Sequence, residues 1–281
     1  MTVRIVTDSS CDLSDEEVAA HGIEVVPLTI RFGDEELEDR TQLSVEDFYR
    51  RLETSDALPE TAAPAPGKFE AAFRRQAEAG ADAVVCINLS SGLSATMQSA
   101  QNAARALEGE LDVRVIDSRS ITSGLGTQVL LAAQAAEAGA SVDEVAALAE
   151  GLAQRTHVIG ALDTLENLKK GGRIGGAKAM LATALAIKPI IQVVDGKVEE
   201  YGKQRTRTKA LKFLADKVAE FTGGDPSRIE HLAVLQADCT DVDEFLAMLR
   251  PHYPGEIVVG EIGPVVGTHA GRGTIGVAFH V

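Results

Sequence analysis

The sequence has no tryptophan, only 3 tyrosines and 8 phenylalanines, and an aromatic share of 4%. Its apolar material, 45% of 281 residues, is therefore mostly Ala, Leu, Ile and Val. That is enough to offset the entropy of folding and excludes a disordered chain. Cysteine is scarce as well. Cys11, Cys86 and Cys239 are odd in number and far apart, which excludes a disulfide framework and a CxxC pair. Cys86 lies inside an apolar run and reads as a small buried hydrophobe. Long apolar runs are missing: the stretch near residues 129–136 is bounded or cut by Gln128, Gln134 and Glu137, too short for a membrane span. No charged leader followed by an apolar segment opens the chain, so the expected compartment is cytoplasmic. Positive charge is short too. Against 42 Asp and Glu stand 27 Lys and Arg, a net charge of −15, which argues against nucleic-acid binding.

Several chemical signatures are also absent. There is no P-loop, no GxSxG elbow, no HExxH and no paired-His metal spacing. Gly271–Gly276 fits GxGxxG, but the five residues after it read as a strand, where a dinucleotide site needs a helix. No motif for a nucleotide, a metal or a cofactor is left.

What is present is unevenly charged. Residues 1–60 hold 16 acidic and 5 basic side chains, whereas residues 169–212 hold 11 basic and 3 acidic. A basic island in an acidic chain points to an anionic ligand or an acidic partner; its bland reading is a solvated helix face.

The first half reads as strand, Ser/Gly turn, helix, repeated. Strands are expected over 4–8, 23–30, 83–89 and 113–117. Helices are expected after Ser14 and Ser141, where Glu17 and Glu144 complete capping boxes, and over 45–52, 68–79, 95–107 and 123–138. The Thr61–Pro66 segment reads as a loop, because of Pro64 and Pro66. This pattern implies a parallel sheet with helices on its faces and ligands at the carboxyl ends of its strands. Three strands end there in hydroxyl-rich turns: Asp8-Ser9-Ser10, Ser90–Ser94 and Asp117–Ser120. The second half changes character. A strand at 158–162, a short helix at 164–170, a helix at 177–186 and a hairpin turning at Asp195-Gly196 are followed by alternating helices and strands. The reading is α/β: an N-terminal parallel-sheet α/β domain over 1–155, with an acidic insertion around 31–60, and a C-terminal α+β domain over 156–281.

Three side chains stand out in the second half. His269 lies in Gly267-Thr-His-Ala-Gly271, whose glycines allow a backbone to approach a ligand closely. Arg173 sits between glycine pairs, and Arg205 follows the hairpin; a guanidinium suits carboxylate or phosphate.

With these segments in view, the chain resembles the DegV family of bacterial fatty-acid-binding proteins. The resemblance rests on Thr7-Asp-Ser-Ser10 with Asp12-Leu13, Thr61…Pro64, Leu89–Ser94 with Gln98-Ser99-Ala100, and Asp117-Ser118. It continues through Leu168-Lys-Lys-Gly-Gly-Arg-Ile-Gly175, Lys188-Pro189-Ile190, Arg205…Leu211 and Gly263-Pro…Gly273, and so covers nearly the whole length. It implies a long-chain fatty acid bound in a tunnel at the interface of two domains. The carboxylate would be held by Thr61, Ser91 and Ser94, with Arg205 and His269 nearby. It further implies a protein without catalysis or cofactor of its own. Such a protein presents the carboxylate to a separate ATP-dependent fatty acid kinase, with Arg173 at the docking face, for acyl-phosphate formation in phospholipid metabolism. The alternative is an enzyme acting on a small carboxylate or phosphate, with Ser94 as nucleophile and His269 as acid/base. Two family segments are altered: Thr-Ser-x-Pro-Ser is here Thr61-Ala-Ala-Pro-Ala65, and Leu-Ser-Gly-Thr is Leu93-Ser-Ala-Thr96.

Overall fold

The computed structural model describes residues 1–55, 57–182 and 187–281. The first half runs β1 (Val3–Asp8), α1 (Asp15–Ala20), β2 (Glu24–Val26), β3 (Thr29–Phe32), β4 (Glu35–Glu38), α2 (Val45–Thr54), β5 (Glu60–Ala62), α3 (Pro66–Glu78), β6 (Ala83–Asn88), α4 (Thr96–Ala106), β7 (Asp112–Asp117), α5 (Thr122–Glu137) and α6 (Val142–Arg155). The second runs β8 (Thr156–Ala161), α7 (Glu166–Lys170), β9 (Lys188–Val194), β10 (Lys197–Gln204), α8 (Arg207–Thr222), β11 (Glu230–Gln236), α9 (Val242–Leu249), β12 (Val258–Glu261), α10 (Pro264–Ala270) and β13 (Ile275–His280).

A four-stranded sheet, order β2-β1-β6-β7, is parallel throughout. Its central strand β6 is buried at every residue, as a parallel strand covered on both faces must be. Alternation divides those residues cleanly. Ala83, Val85 and Ile87 pack with Leu125, Val129, Val145 and Ala149 of α5 and α6. Val84 and Cys86 pack with Phe69, Phe73 and Ala103 of α3 and α4. A six-stranded sheet, order β10-β9-β8-β13-β11-β12, is antiparallel except between β11 and β12. One of its faces carries α8 and α9 through Leu211, Leu214, Phe245 and Leu249. Its other face, through Val158, Leu235 and Ala278, packs with Phe48 of α2, Ile30 of β3 and Val266 of α10. A small antiparallel sheet, order β4-β3-β5, lies in this layer.

The three hydroxyl-rich turns meet at one edge. Asp8 accepts hydrogen bonds from Leu89 N at 2.9 Å and Asn88 Nδ2 at 3.1 Å, tying the end of β1 to the end of β6. Ser90 N donates to Ser120 O at 2.9 Å and Ser118 N to Asn88 O at 3.1 Å, tying β6 to β7. The rim also touches the six-stranded sheet, since Ser90 Oγ donates to Gly196 O at 2.6 Å.

Three expectations need correction. The single strand expected over 23–30 is two strands in two sheets, because Pro27 cannot donate to a ladder and the chain crosses there. The loop expected at Thr61–Pro66 begins as strand β5, with Thr61 opposite Ile30; Pro66 opens α3 instead. The helix expected over 177–186 is a 3₁₀ helix at Gly175–Ala182, and its remainder lies outside the described residues. Gly175 has φ +51°, off the α-helical path, and a side chain at Gly176 would collide with Glu199.

Candidate binding site

A narrow cavity of about 70 Å³ lies where the small sheet, the rim and α10 converge. Its polar lining comes from four separate elements: Thr61 of β5, Ser94 in the turn before α4, Arg173 in the loop after α7, and His269 near the end of α10. The other walls are aliphatic, among them Leu28, Leu93, Leu168 and Val198. A second compartment of about 40 Å³ adjoins it, sharing Ile121, Ile191, Val266 and Ala270. That compartment runs on over the face of the six-stranded sheet at β8 and β13, past Val158, Leu235 and Ile262. The arrangement is a polar end opening into an apolar slot.

At the polar end Thr61 Oγ1 lies 2.9 Å from His269 Nε2. The pairing of β5 with β3 fixes Thr61, and α10 fixes His269, across 208 residues of sequence. α10 is held at its start by Gly263 N donating to Asp12 Oδ1 at 3.1 Å. Tyr49 Oη donates to Ile262 O at 2.7 Å just before it. Burial, reinforced by the positive charge of Arg173, pushes His269 down to about 4. The imidazole is therefore neutral near pH 7, and Arg173 is the cation of the cavity. Its guanidinium is steered by two backbone carbonyls, Nε donating to Leu93 O at 3.1 Å and Nη1 to Gly171 O at 2.7 Å. Of the five N–H donors of a guanidinium, these use only part, and its Nη2 group makes no hydrogen bond among the described residues. Ser94 Oγ pairs with Thr96 Oγ1 at 2.8 Å and accepts from Thr96 N at 3.3 Å, at the positive end of α4.

Thr61, Ser94 and His269 are thus brought together. Ser91 and Arg205 are not. Ser91 is exposed, its N and Oγ both donating to Asp117, at 3.2 and 2.5 Å. Only two residues separate it from Ser94, and the turn sends the two in different directions. Arg205 is exposed between β10 and α8 and does not line the cavity. Its neighbour Arg207 is engaged with Asp241, at 2.7 and 2.9 Å. Arg173, expected on an exposed docking face, is instead partly buried in the cavity wall. The flanking glycines that drew attention to it are what let its loop fold inward. Ser94 makes no hydrogen bond to His269 among the described residues, so the nucleophile–base pair of an acyl-transfer enzyme is not formed. A larger open groove of about 610 Å³, between α1, α5 and β12, carries Glu17, Glu230, Glu256 and Glu261 but none of the site residues read from the sequence. Among the described residues no helix is long and apolar enough to cross a membrane.

A family model described as "Uncharacterised protein, DegV family" matches residues 2–281. The chain belongs to the DegV family. A DegV domain-containing protein of Streptomyces coelicolor is 40% identical over 279 residues, 98% of this chain and 97% of its own. Among solved structures, a DegV family protein from Thermus thermophilus, described by its fatty acid binding, has a TM-score of 0.90 at 32% identity, covering 100% of this chain and 99% of its own. DegV of Bacillus subtilis, described as a fatty acid binding protein, has a TM-score of 0.90 at 28% identity, with coverage of 100% and 99%. The mixed α/β fold expected from the sequence pattern, with its separate parallel sheet, is the fold of these DegV structures.

Proposed function

We propose that this DegV protein binds a long-chain fatty acid, its carboxylate at Thr61, Ser94, Arg173 and His269 and its alkyl chain in the adjoining apolar slot. The observation that carries this reading is the Thr61–His269 pair at 2.9 Å, in a cavity that also holds Arg173 and is otherwise aliphatic. A buried carboxylate needs several donors, or it takes up a proton. Arg173 supplies a charge and free N–H groups. A neutral imidazole with Nε2–H donates to Thr61, which turns the threonine hydroxyl toward the ligand as a donor. In that tautomer Nδ1 is a bare acceptor, in keeping with its lack of a partner. The alkyl chain gains about 0.8 kcal/mol for each CH₂ buried, and the two compartments offer walls of Leu, Ile, Val and Ala.

In this reading residues 1–155 and 156–281 act as two domains, with the ligand at their interface. The protein does no chemistry itself: it presents the carboxylate to a separate ATP-dependent kinase in the cytoplasm, giving an acyl phosphate for phospholipid synthesis. Arg205, exposed in the basic region, belongs to the surface that meets that partner rather than to the head-group site. The fatty acids named for the Thermus and Bacillus relatives support the ligand class.

Mass spectrometry on freshly purified protein, native and then after organic extraction, tests the reading. A stoichiometric long-chain fatty acid with the matching mass shift is expected. Protein that carries none and takes up none when offered palmitate or oleate refutes it. A reconstituted kinase that phosphorylates free fatty acid equally well with and without this protein refutes the carrier role.

A further inference from the structure

The geometry points to Gly171 as the residue that positions the head-group site, by making room for the imidazole of His269 and holding the guanidinium of Arg173 at once. The inference rests on the fatty-acid reading above and deepens it.

Gly171 closes α7 with φ −74° and ψ −8°, an ordinary right-handed conformation open to any L-residue. Its glycine identity is therefore not a demand of the backbone. It is a demand of space. A Cβ built on Gly171 would overlap His269 Nδ1, stand 2.8 Å from His269 Cε1, and lie 3.1 Å from Asn167 O. The imidazole occupies the volume where a side chain at 171 would be. The carbonyl of the same residue accepts from Arg173 Nη1 at 2.7 Å. One residue thus sets the place of the neutral ring by what it lacks, and the place of the cation by its backbone.

The fit is reciprocal. Gly271, just past α10, has φ +83°, and a Cβ there would come within 2.9 Å of Asn167 Nδ2. α7 therefore makes room for α10 at Gly171, and the end of α10 makes room for α7 at Gly271. The two segments that carry Arg173 and His269 are keyed to one another, and the separation of the two head-group contacts follows from that key. Asn167 O, accepting from Gly171 N at 2.8 Å, completes it.

The test is a double-mutant cycle on the full chain with Gly171→Ala and His269→Ala, reading fluorescent fatty-acid displacement, melting temperature and the His269 imidazole NMR titration. Gly171→Ala alone is expected to weaken fatty-acid binding at least tenfold, to lower the melting temperature, and to move the His269 titration toward that of an ordinary histidine. With His269 already Ala the clash is gone. Gly171→Ala then changes affinity less than twofold and leaves the melting temperature level or higher, because Ala suits a helical conformation better than Gly. A melting loss of equal size in both backgrounds, or a Gly171→Ala variant with wild-type affinity and an unmoved His269 titration, overturns the inference. Wild-type protein that binds no fatty acid overturns the underlying reading instead, and the NMR titration still decides whether Gly171 positions the ring.

Discussion

Thr61→Val isolates the head-group contact with little disturbance elsewhere. Valine matches threonine in shape and suits a strand, so the pairing of β5 with β3 is retained. What disappears is the hydroxyl that stands 2.9 Å from His269 Nε2. Two effects follow, and they separate. Without ligand, the ring nitrogen loses its partner in a buried site where Nδ1 already has none. Leaving a buried donor unpaired costs about 1–3 kcal/mol, which for a chain of this size lowers the melting temperature by roughly 2–10 °C. With ligand, a hydrogen bond to a carboxylate is lost, worth about 1.5–3 kcal/mol. That corresponds to an affinity loss of roughly 10- to 150-fold. Calorimetric or displacement titrations with palmitate measure it. The decisive control is hexadecanol, whose chain fills the same slot but brings no charge. The Thr61→Val loss is expected to be several-fold larger for the acid than for the alcohol. Equal losses for both ligands would place Thr61 along the alkyl chain. Affinity within twofold of wild type for both would refute its contact with the ligand.

Arg173→Gln removes the charge of the cavity while keeping an amide that reaches Leu93 O or Gly171 O. Fatty-acid affinity is expected to fall at least as far as in Thr61→Val, with a weaker salt dependence than an exposed cation would give, and full affinity in this variant would return Arg173 to a purely docking role. Ser94→Ala is expected to cost roughly tenfold in affinity and about 1–3 kcal/mol in stability, because the buried Thr96 loses the partner of its Oγ1 and of its N; a stability loss without an affinity loss would confine Ser94 to holding the start of α4. The pH dependence of stability follows from opposed groups. Burial raises Asp39 to about 7 and Asp12 to about 6, so their folded forms hold protons more tightly than the unfolded chain does. Their burial therefore costs stability at neutral pH, and this cost is relieved as the pH falls through those values toward 3.8. His269 and His280 are pushed down to about 4, so their contribution is whole above 6.5 and is lost as the pH falls from 6.5 to 4. Asp39→Asn is expected to stabilise the protein at pH 8 by about 2–4 kcal/mol and, with that acid gain removed, to show a steeper loss between pH 6.5 and 4 in urea titrations. A variant no more stable than wild type at pH 8 would show that Asp39 is not held against its charge.

Much of the scaffold was legible because it is written locally. The capping boxes at Ser14/Glu17 and Ser141/Glu144 are both formed. The Asp195-Gly196 turn has φ of +48° and +73°, as its composition implied. The unbroken run of β6 could only be a strand covered on both faces. The rim was legible for a different reason: a parallel sheet puts the ends of its strands on one edge, so three Ser-rich turns had to meet. What could not be read is whatever depends on fit between distant segments. β5 is three residues long and is a strand only because β3 pairs with it from thirty residues away. α10 carries Gly267, a poor helix former, and stands because that missing side chain admits Phe48 and Tyr49 of α2; Pro264 at its first turn was the one signal that could have marked it. Within a single turn the sequence could not choose between Ser91 and Ser94, since both offer the same hydroxyl and only the fold decides which faces Asp117 and which the cavity. Arg173 shows the limit most clearly. Glycine neighbours suit an exposed docking loop, but they serve equally to let two backbones close on a partly buried side chain. Which of the two holds at Arg173 is decided by the imidazole standing where a Cβ on Gly171 would be, a fact about residues 98 positions apart in the chain.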